Sequence, residues 1–152
     1  MAEVRIERCA PADAKAWIAL RKRLWPEASD ADLRAASDEL LASKESLVLI
    51  GRADRGAIVA FAEATLRRDY VNGCSTSPVA FLEGIFVEPE WRRQRIARRL
   101  CEEVEAWAAE RGCSEFASDT LIDYVDSQRV HEALGFAETE RVVYYRKEIA
   151  PR

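Results

Sequence analysis

Three arginines stand together at the start of a predicted helix: Arg92, Arg93 and Arg95. They follow an apolar run, Val79–Val87, and a turn that contains Pro89. The first N–H groups of a helix lack partners within it, and the helix dipole places about half a positive charge there. A strand that leads through a cationic turn into a helix therefore predicts an anion site. The alternative is a solvated basic helix start.

One carboxylate, Glu83, interrupts the apolar run. A charge in an apolar strand costs free energy unless it is paired or functional. The 152-residue chain carries 27 acidic and 23 basic residues, a net charge of −4, which does not favour nucleic acid as a partner. The basic turn is thus a local exception, and the contrast suggests an anion at the turn and a cation elsewhere.

The chain has four cysteines and a single histidine, His131. The cysteines show no C-x-x-C spacing, so we expect neither a zinc site, nor any other metal, nor a disulfide framework. Buried or incidental thiols are expected instead, and Cys74 is the only one considered as a nucleophile. The cysteines are Cys9, Cys74, Cys101 and Cys113.

Hydrophobic periodicity predicts the elements that position these groups, in the order β-α-α-β-β-β-α-β-α-β-β. The predicted strands are Glu3–Arg8, Ser46–Arg52, Ala57–Arg67, Val79–Val87, Glu115–Thr120, Phe136–Glu140 and Val142–Ile149. The predicted helices run from Pro11 to about Trp25, from a cap at Ser29, from about Arg95 to Arg111, and from about Asp126 to Leu134. This order favours an α+β (mixed α/β sheet) class with one parallel β-α-β crossover.

The length suits one domain, 1–152, with one core. No apolar run approaches the ~20 residues that span a bilayer. The first residues, MAEVRIERC, carry charges throughout and lack a signal-peptide core, so a cytoplasmic location is expected.

The element order, the stretch EPEWRRQRIARRL and the segment VHEALGF together resemble the GNAT acetyltransferases. That family's turn motif is Gln/Arg-x-x-Gly-x-Gly/Ala; Arg92 matches its first position and Ala97 its last, but Arg95 stands where the glycine is expected. Three segments, DYVNGCSTSPVAFLEGIFV, FASDT and GFAETERVVYYRK, look like the bacterial aminoglycoside 6'-N-acetyltransferases. The resemblance implies the GNAT acyl-CoA N-acyltransferase fold, acetyl-CoA as co-substrate, an aminoglycoside acceptor and a homodimer.

The resemblance also implies a cofactor site along the strand and the turn. The edge formed by Ile85, Phe86 and Val87 would pair with the pantetheine arm of acetyl-CoA. A backbone N–H near Val87 would bind the thioester oxygen and stabilise the oxyanion, an effect of ~3 kcal/mol. The phosphate-binding set is Arg92, Arg93, Gln94, Arg95, Ile96, Ala97 and Arg98. With a negative φ, Arg95 would be tolerated and its side chain could add a phosphate contact, whereas a positive φ would strain this turn. We expect acetyl-CoA binding to survive, although its strength can change.

An aminoglycoside carries several ammonium groups, so its site should be rich in carboxylates. The resemblance places Glu83, Asp119 and Glu140 there, with Trp25 and Tyr70 as walls against the sugar rings. Each has a structural alternative: an ion pair for Glu83, a cap for Asp119, a surface carboxylate for Glu140, and plain packing for the two aromatic residues.

Acetyl transfer requires a neutral amine, so a carboxylate must accept the ammonium proton directly or through water. Asp119 or Glu83 is the expected base, and the sequence does not choose between them. Attack is expected to be direct, without an acyl-enzyme. His131 and Tyr145 are candidate proton donors to the CoA thiolate, although His131 could equally pack within its helix. Tyr124 stands where the family often has a CoA-contacting Asn.

Two other functions remain open. The first is a GNAT enzyme that acetylates a protein N-terminus, a lysine or a polyamine, since an acidic site suits any polycation. The second is a degenerate domain that binds cofactor or drug without turnover, for which Arg95 is the only support.

Overall fold

A computed structural model describes residues 3–152 of the chain. The strands are β1 (Val4–Arg8), β2 (Ser46–Ala53), β3 (Ile58–Arg67), β4 (Val79–Val87) and β5 (Phe116–Ala117). The helices are α1 (Ala14–Leu24), α2 (Asp30–Ala42), α3 (Ile96–Glu110) and α4 (Val125–Ala133), with short 3-10 turns at Pro11–Asp13, Asp54–Gly56 and Pro89–Trp91.

The five strands form one sheet in the order β1-β2-β3-β4-β5. The first four are antiparallel neighbours, whereas β4 and β5 are parallel through the pairs Ala80–Phe116 and Phe81–Ala117. The α+β class with a mixed sheet and the single parallel crossover are confirmed. Helix α3 forms that crossover.

Helix α3 buries one apolar face, as its periodicity predicts. On α3, Ile96, Leu100, Val104 and Trp107 are buried, because residues three and four apart lie on one face. The predicted cap of α2 is also confirmed, since the Ser29 side chain accepts a hydrogen bond from the Asp32 N–H at 3.1 Å. Between α1 and the sheet lies a core of Trp17, Leu20, Val48, Ile50 and Phe61.

The C-terminal part of the predicted order is wrong. The strand predicted over Glu115–Thr120 is reduced to the two residues of β5. The strands predicted over Phe136–Glu140 and Val142–Ile149 are absent, since no residue after α4 lies in a strand. Alternation makes a segment able to form a strand, but a strand exists only when a neighbouring strand accepts its hydrogen bonds.

The chain divides into two compact units, one ending at Asp119 and one spanning Thr120–Arg152. The first holds the whole sheet with α1, α2 and α3, and the second holds α4 and the C-terminal segment. A single functional domain over 1–152 stays a prediction. Within residues 3–152, every helix is too short or too polar to cross a membrane.

Candidate active site

The first unit contains an acidic cavity of about 550 Å³. It lies among α1, α2 and strands β2, β3 and β4. Its lining residues are Arg21, Trp25, Ala36, Glu39, Leu40, Ser43, Ser46, Glu63, Thr65 and Glu83. Two of the predicted acceptor residues, Trp25 and Glu83, therefore line one cavity. Its volume is within the range of small-molecule sites.

Glu83 lies at a β-bulge between β3 and β4. The register pairs Glu63 with Gly84 and Ala64 with Leu82, which leaves Glu83 as the extra residue on β4. A bulge redirects a side chain and interrupts the ladder locally. The Glu83 side chain is 24% exposed at the cavity, and its carboxylate forms an ion pair with Arg67, the structural alternative given for this residue.

A second carboxylate, Glu63, is almost fully buried at 1% exposure. Arg21 from α1 forms two hydrogen bonds of 2.9 Å with its two oxygens, and the Trp17 Nε1–H donates a third at 3.2 Å. The Arg21 guanidinium also donates to the Leu33 carbonyl and the Ser37 hydroxyl of α2. Burial raises the pKa of Glu63, while the donors from Arg21 and Trp17 oppose that rise.

Glu63 and Glu39 were both missed as cavity residues by sequence reasoning. Glu63 carries the signal that singled out Glu83, a lone carboxylate in an apolar strand, and applying that signal to β3 finds it. Glu39, on α2, carries no comparable signal, because an acidic residue on a surface helix is ordinary.

Trp25 is positioned by three contacts. Its ring lies 6.4 Å from that of Phe61, and the Arg21 guanidinium carbon lies 5.0 Å from its centroid. The third contact is with Gly84, where an added Cβ would lie 2.5 Å and 2.8 Å from two ring carbons of Trp25. The missing side chain at Gly84 thus makes room for the predicted aromatic wall.

Gly84→Ala is expected to lower the free energy of unfolding by about 1–3 kcal/mol, because the rigid indole must move away from β4. Urea denaturation measures this loss. In a Trp25→Leu background the same substitution should cost much less. An equal cost in both backgrounds would show that Trp25 is not the obstacle.

Strand β4 has an open edge on the side of β5. Its pairing with β5 ends at Phe81, and the Ser118 hydroxyl then donates to the Leu82 carbonyl at 3.2 Å. Within residues 3–152, no strand pairs with Ile85–Val87 on that side. Free backbone groups at such an edge can pair with the amides of an extended ligand.

The basic turn lies directly after β4, and Arg92, Arg93, Gln94 and Arg95 are exposed there. The Arg92 Nε–H donates to the Val87 carbonyl at 2.8 Å, and its guanidinium carbon lies 5.7 Å from the centroid of Phe86. Of the other predicted phosphate-site residues, Ile96 is buried, Ala97 is half-buried and Arg98 is exposed. The turn presents cationic side chains beside the N-terminus of α3, which suits an anion.

Arg95 adopts the left-handed conformation that the motif glycine would favour. Its φ is 63° and its ψ is 18°, and its carbonyl accepts from the Arg99 N–H at 3.0 Å at the start of α3. Of the two cases foreseen for this position, the strained one is present.

Arg95→Gly is expected to raise the free energy of unfolding by about 0.5–1 kcal/mol. It removes a left-handed penalty of roughly 1–2 kcal/mol and adds about 0.5–1 kcal/mol of chain entropy loss on folding. Chemical denaturation measures the gain. Glu102→Gly, at a regular helical position of α3, is the control and should lower stability by about 1 kcal/mol. A lower free energy of unfolding for Arg95→Gly than for the wild type would contradict the strain at this position.

The other predicted residues of the first unit are exposed. Asp119, the last residue of the first unit, is exposed, and Tyr70 is 75% exposed in the loop before β4. Tyr70 is absent from the cavity lining. Their roles as base and as aromatic wall stay predictions.

In the second unit, His131 contacts Ser127 of its own helix and Phe136 just after that helix. Its Nδ1–H donates to the Ser127 carbonyl at 2.7 Å, since a carbonyl can only accept, and its ring meets Phe136 edge-on at 5.5 Å. Tyr145 is 91% exposed and Glu140 is exposed. The donor roles of His131 and Tyr145 and the acceptor role of Glu140 stay predictions.

The cysteines lack the features of a nucleophile. Burial raises the pKa of Cys101 to about 12 and that of Cys9 to about 11. The pKa values of Cys74 and Cys113 are also raised, chiefly by desolvation. A raised thiol pKa leaves little thiolate at neutral pH. Direct transfer without an acyl-enzyme stays a prediction. Residues 3–152 contain no cluster of His, Cys, Asp and Glu suited to a metal ion.

Comparisons with a family model and with known proteins identify relatives of this chain. The model of the Acetyltransferase (GNAT) family matches residues 17–136. An aminoglycoside N(6')-acetyltransferase type 1 of Serratia marcescens is 57% identical over 139 residues, which cover 91% of this chain and 95% of that protein.

Solved structures are similar over nearly the whole chain. The aminoglycoside antibiotic 6'-N-acetyltransferase AAC(6')-Ih from Acinetobacter baumannii is 45% identical, with a TM-score of 0.92 and coverage of 97% of this chain and 100% of that one. AAC(6')-Iy, in complex with the bisubstrate analog CoA-S-monomethyl-acetylneamine, is 44% identical with a TM-score of 0.91, covering 97% and 99%.

Proposed function

Because the chain belongs to the GNAT acetyltransferases and, within them, to the aminoglycoside N(6')-acetyltransferases, we propose that it transfers acetyl from acetyl-CoA to the 6'-amino group of aminoglycosides. Acetylation removes an ammonium charge from the antibiotic and so confers resistance.

The acidic cavity carries this proposal. It has about the size of a small-molecule site, and its lining includes Glu39, Glu63 and Glu83 but only one cation, Arg21. Arg21 is already bonded to Glu63. Glu83 is paired with Arg67, which does not line the cavity, and Glu39 adds a further negative charge. The lining groups therefore carry a net negative charge that favours a polycation, and Arg67 partly offsets it. Trp25 adds an aromatic surface on which a sugar ring can lie.

The second substrate, acetyl-CoA, fits the open edge of β4 and the turn that follows. The backbone of Ile85–Val87 would pair with the pantetheine amides, and a backbone N–H near Val87 would hold the thioester oxygen. The exposed arginines at the N-terminus of α3 would bind the phosphates. This arrangement brings an anionic donor and a cationic acceptor to the same strand, because Glu83 lies only two residues before Ile85.

In the reaction, a carboxylate accepts the proton of the acceptor ammonium, and the neutral amine attacks the thioester carbon directly. Glu83, which lines the cavity, and Asp119 are the two proposed bases. The C–S bond then breaks, and the thiolate of CoA leaves and takes up a proton, for which Tyr145 and His131 are the proposed donors. The second proton that the nitrogen loses as the amide forms restores that donor.

A turnover assay tests the proposal. Protein and acetyl-CoA are mixed with an aminoglycoside that has a 6'-amino group, with an analogue that has a 6'-hydroxyl group, or with lysine peptides and polyamines, and CoA release is followed. Release only with the 6'-amino compound supports the proposal. Release with peptides or polyamines would favour the broader GNAT activity. Acetyl-CoA binding without any release would indicate a degenerate domain, and absence of acetyl-CoA binding would contradict the cofactor site.

We also propose a homodimer. Large apolar side chains are exposed in the C-terminal segment, with Val143 at 75%, Tyr144 at 79% and Ile149 at 94% exposure. Such a stretch is typical of an association surface. Analytical ultracentrifugation should find a dimer that Val143→Asp weakens. A monomer at all concentrations would contradict it.

The proposed location is the cytoplasm. All four cysteines are free thiols, as is usual in a reducing compartment. Fractionation of producing cells tests this, and recovery from the periplasm would contradict it.

A further inference from the structure

The guanidinium of Arg67, at the end of β3, forms an ion pair with the carboxylate of Glu83. Its Nη2 donates to both carboxylate oxygens, at 2.5 Å and 2.8 Å. The Thr65 hydroxyl is a weaker third donor, at 3.3 Å from Oε1. An ionised carboxylate has about four acceptor positions, so this pair occupies most of them.

Arg67 is held in this position by a second contact. Its guanidinium carbon lies 3.5 Å from the ring centroid of Phe81, a cation–π arrangement. Phe81 and Glu83 are two residues apart on β4, so one strand supplies both the ring beneath the guanidinium and the carboxylate beside it. Arg67 itself does not line the cavity, whereas Glu83 and Thr65 do. The guanidinium thus reaches the carboxylate from the rim.

From this geometry we propose that Arg67 is a specificity-determining residue, an internal cation that an acceptor ammonium must displace from Glu83. The Arg67 side chain is 43% exposed, so the ion pair is partly solvated and weak enough to exchange. An acceptor with several ammonium groups gains contacts elsewhere in the acidic cavity and offsets the exchange. A small monoamine gains nothing elsewhere and is rejected. The inference rests on the proposed function, because it concerns how that acceptor binds.

Arg68→Ala is a matched control for Arg67→Ala. Arg68 is the next residue, and its guanidinium bonds the exposed Glu45 instead of Glu83. Both variants lose one positive charge at neighbouring positions. Any general gain in attraction for a polycation is therefore the same in both, and only Arg67→Ala frees Glu83.

Steady-state kinetics with a 6'-amino aminoglycoside and with a small monoamine test the inference. Relative to Arg68→Ala, Arg67→Ala should lower the acceptor KM by about two- to fivefold, the range of a partly solvated ion pair. The kcat and the KM for acetyl-CoA should stay the same. The KM for the monoamine should fall at least as far as that for the aminoglycoside, and Arg67→Lys should stay close to the wild type.

Two further results distinguish displacement of Arg67 from Glu83 by an acceptor ammonium from any other role of Arg67. In a Glu83→Gln background, Arg67→Ala should no longer change the acceptor KM. An acceptor KM that is unchanged or raised, or a lower kcat at constant KM, would overturn the inference and assign Arg67 a merely structural or positioning role. These outcomes leave the proposed function intact, whereas absence of turnover by the wild-type protein would overturn both.

Discussion

Glu83→Gln is expected to lower kcat/KM for a 6'-amino aminoglycoside by about 100-fold, while the KM for acetyl-CoA stays unchanged. The amide retains the size of the carboxylate but neither attracts an ammonium nor accepts its proton. The structural basis is the accessible position of Glu83 at the bulge of β4, on the wall of the acidic cavity. CoA release at varied acceptor concentration measures the effect.

Glu45→Gln is the matched control. It removes the same charge from an exposed carboxylate that pairs with Arg68 and does not line the cavity. Its kcat/KM should remain within about twofold of the wild type, the range of exposed ion pairs. A similar loss in both variants would attribute the effect to net charge.

Asp119→Asn distinguishes the two candidate bases. If Asp119 accepts the proton, its variant should lose about 100-fold in kcat, and Glu83→Gln should then act mainly through the acceptor KM. If Glu83 is the base, the pattern reverses. Unchanged rates in both variants would show that the acceptor site is assigned to the wrong residues.

Arg21→Met is expected to lower the free energy of unfolding by about 3–5 kcal/mol, the largest stability effect foreseen for this chain. Removing the guanidinium leaves Glu63 buried at 1% exposure without its main donors. It also removes the bonds that connect α1 to Leu33 and Ser37 of α2. Guanidinium chloride denaturation measures the loss.

The decrease in the free energy of unfolding caused by Arg21→Met should depend on pH. Burial already raises the pKa of Glu63 above its ordinary value of 4.5, and loss of the Arg21 donors raises it further. A carboxyl whose folded pKa exceeds its unfolded pKa adds no penalty below the unfolded value and a growing penalty as pH rises toward the folded value. The deficit of Arg21→Met should therefore shrink as pH is lowered toward 4.5.

Arg34→Met is the control, because Arg34 is exposed on α2 and loses the same charge. Its stability should stay within about 0.5 kcal/mol of the wild type. The double variant Arg21→Met/Glu63→Met should be more stable than Arg21→Met, since replacing both members of a buried pair removes the orphaned charge. A deficit that is independent of pH would contradict the role of Glu63.

Local patterns in the sequence were enough to predict most of the elements. The apolar positions of α3, the Ser29 cap of α2 and the run of β4 depend on residues within a few positions of each other, so spacing alone determines them. The cationic turn after β4 is predicted by the same kind of local pattern. The family could be recognised because EPEWRRQRIARRL and the three other segments each consist of consecutive residues.

Contacts between residues far apart in the sequence determine the features that local patterns do not predict. Glu63 and Glu83 carry the same signal, but only Glu63 meets Arg21, which lies 42 positions away, and becomes a buried pair. Glu83 stays accessible because the bulge turns it toward the cavity and Arg67. The predicted C-terminal strands failed for a related reason, since alternation cannot supply the partner that a strand needs. The sequence thus determined which residues could do chemistry, and only the packing of helix α1 against the sheet decided which carboxylate is buried against Arg21 and which lies partly exposed at the cavity beside Arg67.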